Sequence, residues 1–266
     1  MKASQITNVS LIACLAFASV GLGGNTHASP GIISVDFGID GSPQQSGVES
    51  AAAAADPVFV NANVWNHLNF VKFGPEANPA FSSLVDGDGN PTEVGFSIKG
   101  TVGGFWNYLS SQPLRSDYMF FNSRNLSSSI DWQVTGLARK SEYRLYAYGA
   151  VTTYYVRGCE MFVDANGNGD LTDEIAKLIG TADADATTSK DAFFRSVFTD
   201  ASGSIHGKAT GIGSPGGDVL NEANWGGFQI AAVPEPATRV MLLLAVVGVS
   251  TRLRRYVCRV SELINA

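Results

Sequence analysis

Apolar and polar residues alternate with period two over short stretches, separated by clusters of Gly, Asn, Asp and Ser. That is the pattern of half-buried β-strands. Ile32 to Phe37 forms the first such stretch, and Val94, Phe96 and Ile98 alternate with polar or small partners in the next clear one. Ile130, Trp132 and Val134 repeat the pattern before Gly136-Leu137. Over the following stretch Tyr143, Leu145 and Ala147 face one way, while Arg144, Tyr146 and Tyr148 face the other. Met161 to Val163, Phe193 to Phe198 and Phe228 to Ile230 supply further strands. Ala51 to Ala55 is the one stretch of helical character, and it reads as a turn within a loop. Neither an internal repeat nor a linker divides the middle of the chain. Many short strands at this spacing predict an all-β domain over residues 29–232, a β-sandwich with jelly-roll topology.

The two ends follow different rules. Residues 1–28 open with Lys2, run apolar from Val9 to Leu22, and reach Thr26-His27-Ala28, a small-x-Ala cleavage site ahead of Ser29. This is the layout of a signal peptide, so the segment is set apart from the fold. Leu11-Ile12-Ala13-Cys14 also matches a lipobox, but the apolar run continues past Cys14, which argues against lipidation there. At the other end, Val233-Pro234-Glu235-Pro236-Ala237-Thr238 precedes an apolar run from Val240 to Val249, then Arg252, Arg254 and Arg255. An extended Pro-rich spacer, a greasy helix and a basic stop suit a segment held in the inner membrane. The helix is short for a bilayer that needs about 20 apolar residues. A transient sorting signal fits it better than a permanent anchor.

This tail resembles the PEP-CTERM sorting domain of exosortase substrates. The resemblance covers residues 233–255 and implies export, recognition by exosortase-type machinery and cleavage near Pro234-Glu235-Pro236. Arg239 and the extension 256–266 depart from the pattern. The middle of the chain also resembles PEP-CTERM-linked envelope domains with a galactose-binding-like jelly roll. The matching pieces are Ser34 to Gly38, Gly41-Ser42-Pro43, Trp65-Asn66, Leu84 to Gly89, Gly136-Leu137 and Gly226 to Ile230.

Composition narrows the partners. Charged residues make up only 16% of the chain, with 29 Gly and 10% aromatics, as suits a secreted all-β domain with many turns. Residues 29–233 hold 12 Lys and Arg against 22 Asp and Glu. That acidic surplus repels phosphate backbones and excludes nucleic acid as a natural partner. Of the three cysteines only Cys159 falls in the domain, within a strand-like run, so it reads as a small buried hydrophobe and no internal disulfide is expected.

Asp164-Ala165-Asn166-Gly167-Asn168-Gly169-Asp170 places oxygen side chains at alternate positions with Gly at the sixth, as in an EF-hand calcium loop. Ile175 stands where the closing Glu belongs, so Asp173 is the expected closing acid. The expected Ca2+ ligands are Asp164, Asn166, Asn168, Asp170 and Asp173, against the alternative of a solvated Asn/Gly hairpin. Asp86 to Asn90 is read as a plain turn. Exposed aromatics stack on sugar rings, and Trp65, Trp106 with Tyr108, and Tyr154 with Tyr155 are the candidates for a polysaccharide ligand, Trp106 foremost; Trp132 and Trp225 are read as core. Enzyme signals are thin. His67 and His206 lack metal-ligand spacing, Gly213-Ser214-Pro215-Gly216 lacks a nucleophile elbow, and Asp183 with Asp185 falls in a polar loop. The expected function is a non-enzymatic surface or matrix protein that binds carbohydrate. A purely structural envelope component and a glycan-active hydrolase are the alternatives.

Overall fold

The computed structural model describes residues 31–39, 51–60, 64–106, 117–123, 125–150, 157–181, 190–212 and 222–233. The chain divides into two units, Met1–Ala232 and Val233–Ala266, and every described strand lies in the first. The leader 1–28, Tyr108, Tyr154, Tyr155, Asp183, Asp185, the sorting motif Pro234-Glu235-Pro236, the apolar run 240–249 and the arginines 252, 254 and 255 lie outside the described residues. Among the described residues no helix is long and apolar enough to cross a membrane.

The strands are β1 (Ile32–Gly38), β2 (Asn66–Asn69), β3 (Glu76–Ala77), β4 (Ala80–Phe81), β5 (Gly95–Lys99), β6 (Thr101–Trp106), β7 (Asp117–Phe121) and β8 (Ser129–Thr135). They continue with β9 (Glu142–Tyr148), β10 (Arg157–Val163), β11 (Lys177–Thr181), β12 (Ala192–Phe198), β13 (Ile205–Gly211), β14 (Ala223–Trp225) and β15 (Gly227–Ala232). They build a five-stranded sheet, β12-β9-β15-β1-β2, and a six-stranded sheet, β11-β10-β13-β8-β5-β4. A third sheet, β14-β7-β6-β3, adds to the two that a sandwich requires. Among the described residues the strand pairs are antiparallel except β1 with β2, which run parallel with Asp36 opposite His67.

The period-two pattern explains the layering. Val35 and Phe37 of β1, Tyr143, Leu145 and Ala147 of β9, and Phe228 and Ile230 of β15 enter one core. Phe96 and Ile98, Ile130, Trp132 and Val134, and Cys159, Met161 and Val163 enter it from the six-stranded sheet. Trp225 lies fully buried among Phe37, Phe96 and Phe228, with ring centroids 5.0 to 5.9 Å away. Trp132 and Trp225 are core residues, as the strand pattern implies, and Cys159 is a buried free thiol whose pKa burial pushes up. On the opposite face of the six-stranded sheet Lys99, Asp131 and Glu160 are exposed, as expected for a sheet solvated on one side.

The other face of the five-stranded sheet is covered as well. Tyr146, Tyr148 and Ala231 pack there against Ala52 and Phe59. Residues Ala51–Ala55, expected as a loop turn, form a helix, α1, followed by a 3-10 turn at Pro57–Phe59. Alanine has the best helix propensity. The Asp56 N–H closes the helix onto the Ala52 carbonyl (2.8 Å), and the Asp56 carboxylate caps Val58 N–H (3.0 Å). Such a short helix persists because Ala52 and Phe59 bury against the sheet. Sequence periodicity has no access to that contact.

Candidate functional site

Three turns meet at one place: residues 138–141, the loop 164–174 after β10, and residues 198–204 after β12. Backbone bonds knit them, from Phe198 N–H to the Ala165 carbonyl (2.9 Å), Thr199 N–H to Ser141 (3.0 Å), and Lys140 N–H to Asp200 (3.3 Å). The Thr199 hydroxyl donates to the Ala138 carbonyl (2.7 Å) and accepts from Ser141 N–H (2.9 Å). Gly167 has φ +71°, and a Cβ there would lie 2.9 Å from the Thr199 carbonyl oxygen, so the loop approaches as closely as it does because it has no side chain.

Between the turns lies an open hollow of about 290 Å³, lined by Lys140, Asn166, Gly167, Phe198, Thr199 and Asp200, with Ala201. Phe198 is 40% exposed because of an irregularity in β12. The register with β9 shifts between Phe194 and Val197, which leaves Val197 inward and Phe198 outward. Asp200 is held rigidly. Its Oδ1 accepts from Ser202 N–H (2.8 Å), Ser204 N–H (2.9 Å) and the Ser202 hydroxyl (2.7 Å), and its Oδ2 lies 3.1 Å from His206 Nε2. Burial alone would raise the Asp200 pKa, but these hydrogen bonds outweigh it and hold the carboxyl far below the usual carboxylate range.

The loop 164–174 forms the turn that its Asn and Gly residues imply. Asp164 is buried, and its carboxylate accepts from the N–H groups of Gly167 (2.8 Å), Asn168 (3.1 Å) and Gly169 (2.7 Å). Asn166 and Asn168 both donate to Asp173 Oδ2, at 3.2 and 3.0 Å, so these three side chains converge. Asp170 turns instead to Thr172, accepting from its N–H and hydroxyl at 2.9 and 2.7 Å. Ile175 is 82% exposed, whereas the Glu174 carboxylate reaches back to Ala165 N–H (2.9 Å). Asp173, the closing acid expected from the spacing, thus meets Asn166 and Asn168, while Glu174, which the spacing does not single out, closes the loop onto its own start. Asp86 closes its own turn, accepting from Asp88 and Asn90 N–H at 3.0 and 2.8 Å.

The aromatic candidates separate. Trp65 is half-buried and packs on Tyr148 with ring centroids 5.9 Å apart, within the layer that α1 covers. Trp106 ends β6 opposite Asp117. Beside β6 stands a residue the sequence reading missed. Phe73 is 61% exposed with φ +54°, its ring edge-on to Phe105 at 5.1 Å and 5.6 Å from Lys72 Nζ. A bulky residue with positive φ carries backbone strain.

A second cluster lies inside the fold. Asp36 on β1, His67 on β2 and Asp117 at the start of β7 offer ligand atoms that all lie within 4.8 Å of one another. His67 Nδ1 is 3.1 Å from Asp36 Oδ2. Burial would lower the His67 pKa, but the hydrogen bond to Asp36 and the charges of Asp36 and Asp117 raise it above its ordinary value. No spacing reveals this grouping, since 31 residues separate Asp36 from His67 and the parallel pairing of β1 with β2 brings them together.

No protein-family model matches the chain, and no curated protein matches it. Among solved structures it is similar to a chain in the complex of the plant peptide RALF23 with FER and LLG2, at 9% identity and TM-score 0.33, over 78% of this chain and 41% of that one. It is also similar to TmCBM61 in complex with β-1,4-galactotriose, at 12% identity and TM-score 0.27, over 53% and 88% of the two chains. A third is the arabinose-bound α-L-arabinofuranosidase MgGH51, at 11% identity and TM-score 0.28, over 77% of this chain and 29% of that one. The chain thus spans less than half the length of the first and third. All three scores lie below 0.5, so the function rests on the residues of the site.

Proposed function

We propose that this chain is an exported, exosortase-sorted cell-surface or extracellular-matrix protein whose β-sandwich, of jelly-roll type, binds a polysaccharide in the hollow between the three turns. The observation that carries this reading is the half-exposed Phe198 beside Lys140, Asn166 and Asp200. A pyranose presents C–H faces and hydroxyls together. An aromatic ring meets the first, while an ammonium, an amide and a carboxylate meet the second. The knitted rim supports binding because little ordering remains for the ligand to impose. The acidic surplus of residues 29–233 favours a neutral glycan over an anionic one. The role is binding rather than catalysis, and calcium in the loop 164–174 is a structural restraint on the rim. Export and sorting rest on the signal-peptide layout and the Pro-Glu-Pro tail.

A glycan array probed with the full mature chain tests this. Phe198→Ala is expected to weaken binding about tenfold or more, on the order of 1.4 kcal/mol, while the melting temperature stays within a few degrees. Phe73→Ala is expected to leave binding intact, and loss there instead would move the site to β6. Absence of any glycan signal from the wild type would favour the purely structural envelope protein. Release of reducing sugar would favour the hydrolase.

A further inference from the structure

We propose that Asp36, His67 and Asp117 form a buried site for one divalent transition-metal ion, zinc by preference, which clasps β1 and β2 to β7. Three observations converge on it. The ligand atoms lie within 4.8 Å of one another, and bonds of about 2.0–2.2 Å to imidazole nitrogen and carboxylate oxygen, which hold two ligands of one ion no more than about 4.4 Å apart, are reached once the side chains draw in around it. Asp36 and Asp117 are both 0% exposed, and the His67 side chain is 6% exposed, so the cluster is internal and not a solvated acidic patch. The ligands come from different sheets, since β1 and β2 belong to the five-stranded sheet and β7 to the four-stranded one.

Donor chemistry decides the ion. An imidazole nitrogen among the donors favours zinc or a neighbouring first-row ion over calcium or magnesium, which take oxygen ligands. Metal uptake releases any proton held on the imidazole, so binding weakens as pH falls. Cys159 is a free buried thiol, and an internal metal clasp supplies a cross-link between sheets that no disulfide provides among the described residues.

The test uses the full mature chain without an affinity tag, stripped with chelator and kept in millimolar calcium so that the loop 164–174 does not compete. Isothermal titration with zinc is expected to give one equivalent per chain. His67→Gln should weaken the affinity by roughly 100-fold or more, beyond what loss of an outer partner costs, while Asp164→Ala leaves it unchanged. Absence of stoichiometric binding in the wild type, or wild-type affinity in His67→Gln, would overturn the proposal. Should His67→Gln fail to fold, X-ray absorption at the zinc edge of the wild type decides. One imidazole with oxygen ligands at about 2.0 Å supports the site, and oxygen ligands alone or two imidazoles exclude it.

Discussion

Gly207 faces Trp132 across the pairing of β13 with β8, and a Cβ at that position would lie 2.1 Å from Trp132 Cζ2. The indole crosses the neighbouring strand where a side chain is missing. Trp132 is buried and cannot retreat without disturbing Trp225, 5.6 Å away by ring centroid. Gly207→Ala is therefore expected to destabilise the fold by about 1–3 kcal/mol, the usual cost of overpacking a core. A urea melt measures it, and an unchanged midpoint would show that the ring moves aside freely. At the same scale Phe198 and Phe73 show how exposure is set by the backbone. One is turned outward by a register shift in β12, and the other by a positive φ.

At the scale of the element, the loop 164–174 and the turn 198–204 carry separate predictions. In the loop, Asn166 and Asn168 point their amide groups at Asp173. Turning each amide over presents its oxygen where its nitrogen now lies, which is how the same side chains would meet Ca2+. With an affinity on the order of 10⁻⁴ to 10⁻³ M, as for extracellular modules, calcium at a hundredfold excess over that constant adds about 2.7 kcal/mol of stability. A thermal melt of the full mature chain should therefore rise in calcium relative to chelator, and the rise should vanish in Asp164→Ala. Identical wild-type melts would leave the loop as a turn only. In the turn 198–204, the Asp200 pKa is lowered by folding. A depressed carboxylate stabilises the fold above its unfolded pKa, about 4, and that contribution is lost as pH falls toward the folded value. Asp200→Asn should melt below the wild type at pH 7 and show a shallower decline between about pH 4 and pH 2. Parallel acid declines for the two proteins would remove Asp200 from the acid response.

For the whole molecule, the prediction concerns sorting. Deleting Pro234 to Pro236 is expected to leave unprocessed protein in the membrane fraction of the producing cell, because the basic stop at Arg252, Arg254 and Arg255 would remain in place. Mass spectrometry of mature surface protein reads the outcome, and an intact C-terminus at Ala266 would overturn the sorting assignment. The main core draws on all three sheets, with a second apolar layer against α1, where Tyr148 hydrogen-bonds Gln229 (2.5 Å) and Gln229 bonds Ser34 (2.8 Å). That network runs across β9, β15 and β1 beneath α1, so the covered face is specified by polar contacts as well as by burial.

What the sequence determined by itself is local and periodic. Strand faces such as Tyr143, Leu145 and Ala147 were legible because side chains alternate across a strand whatever it pairs with. The turns at Asp86 and Asp164 were legible because their carboxylates bond backbone N–H groups two to five residues on. The tertiary structure decided everything that depends on long-range pairing. Only the parallel register of β1 with β2 and the approach of β7 gather Asp36, His67 and Asp117. Only the meeting of three turns makes the hollow beside Phe198, and only burial against the five-stranded sheet holds α1 as a helix. The third sheet likewise follows from pairings such as β14 with β7, between strands far apart in the chain. A side-chain pattern reports which way a residue faces. What it faces is set by contacts between distant segments, and those carry no signature in spacing.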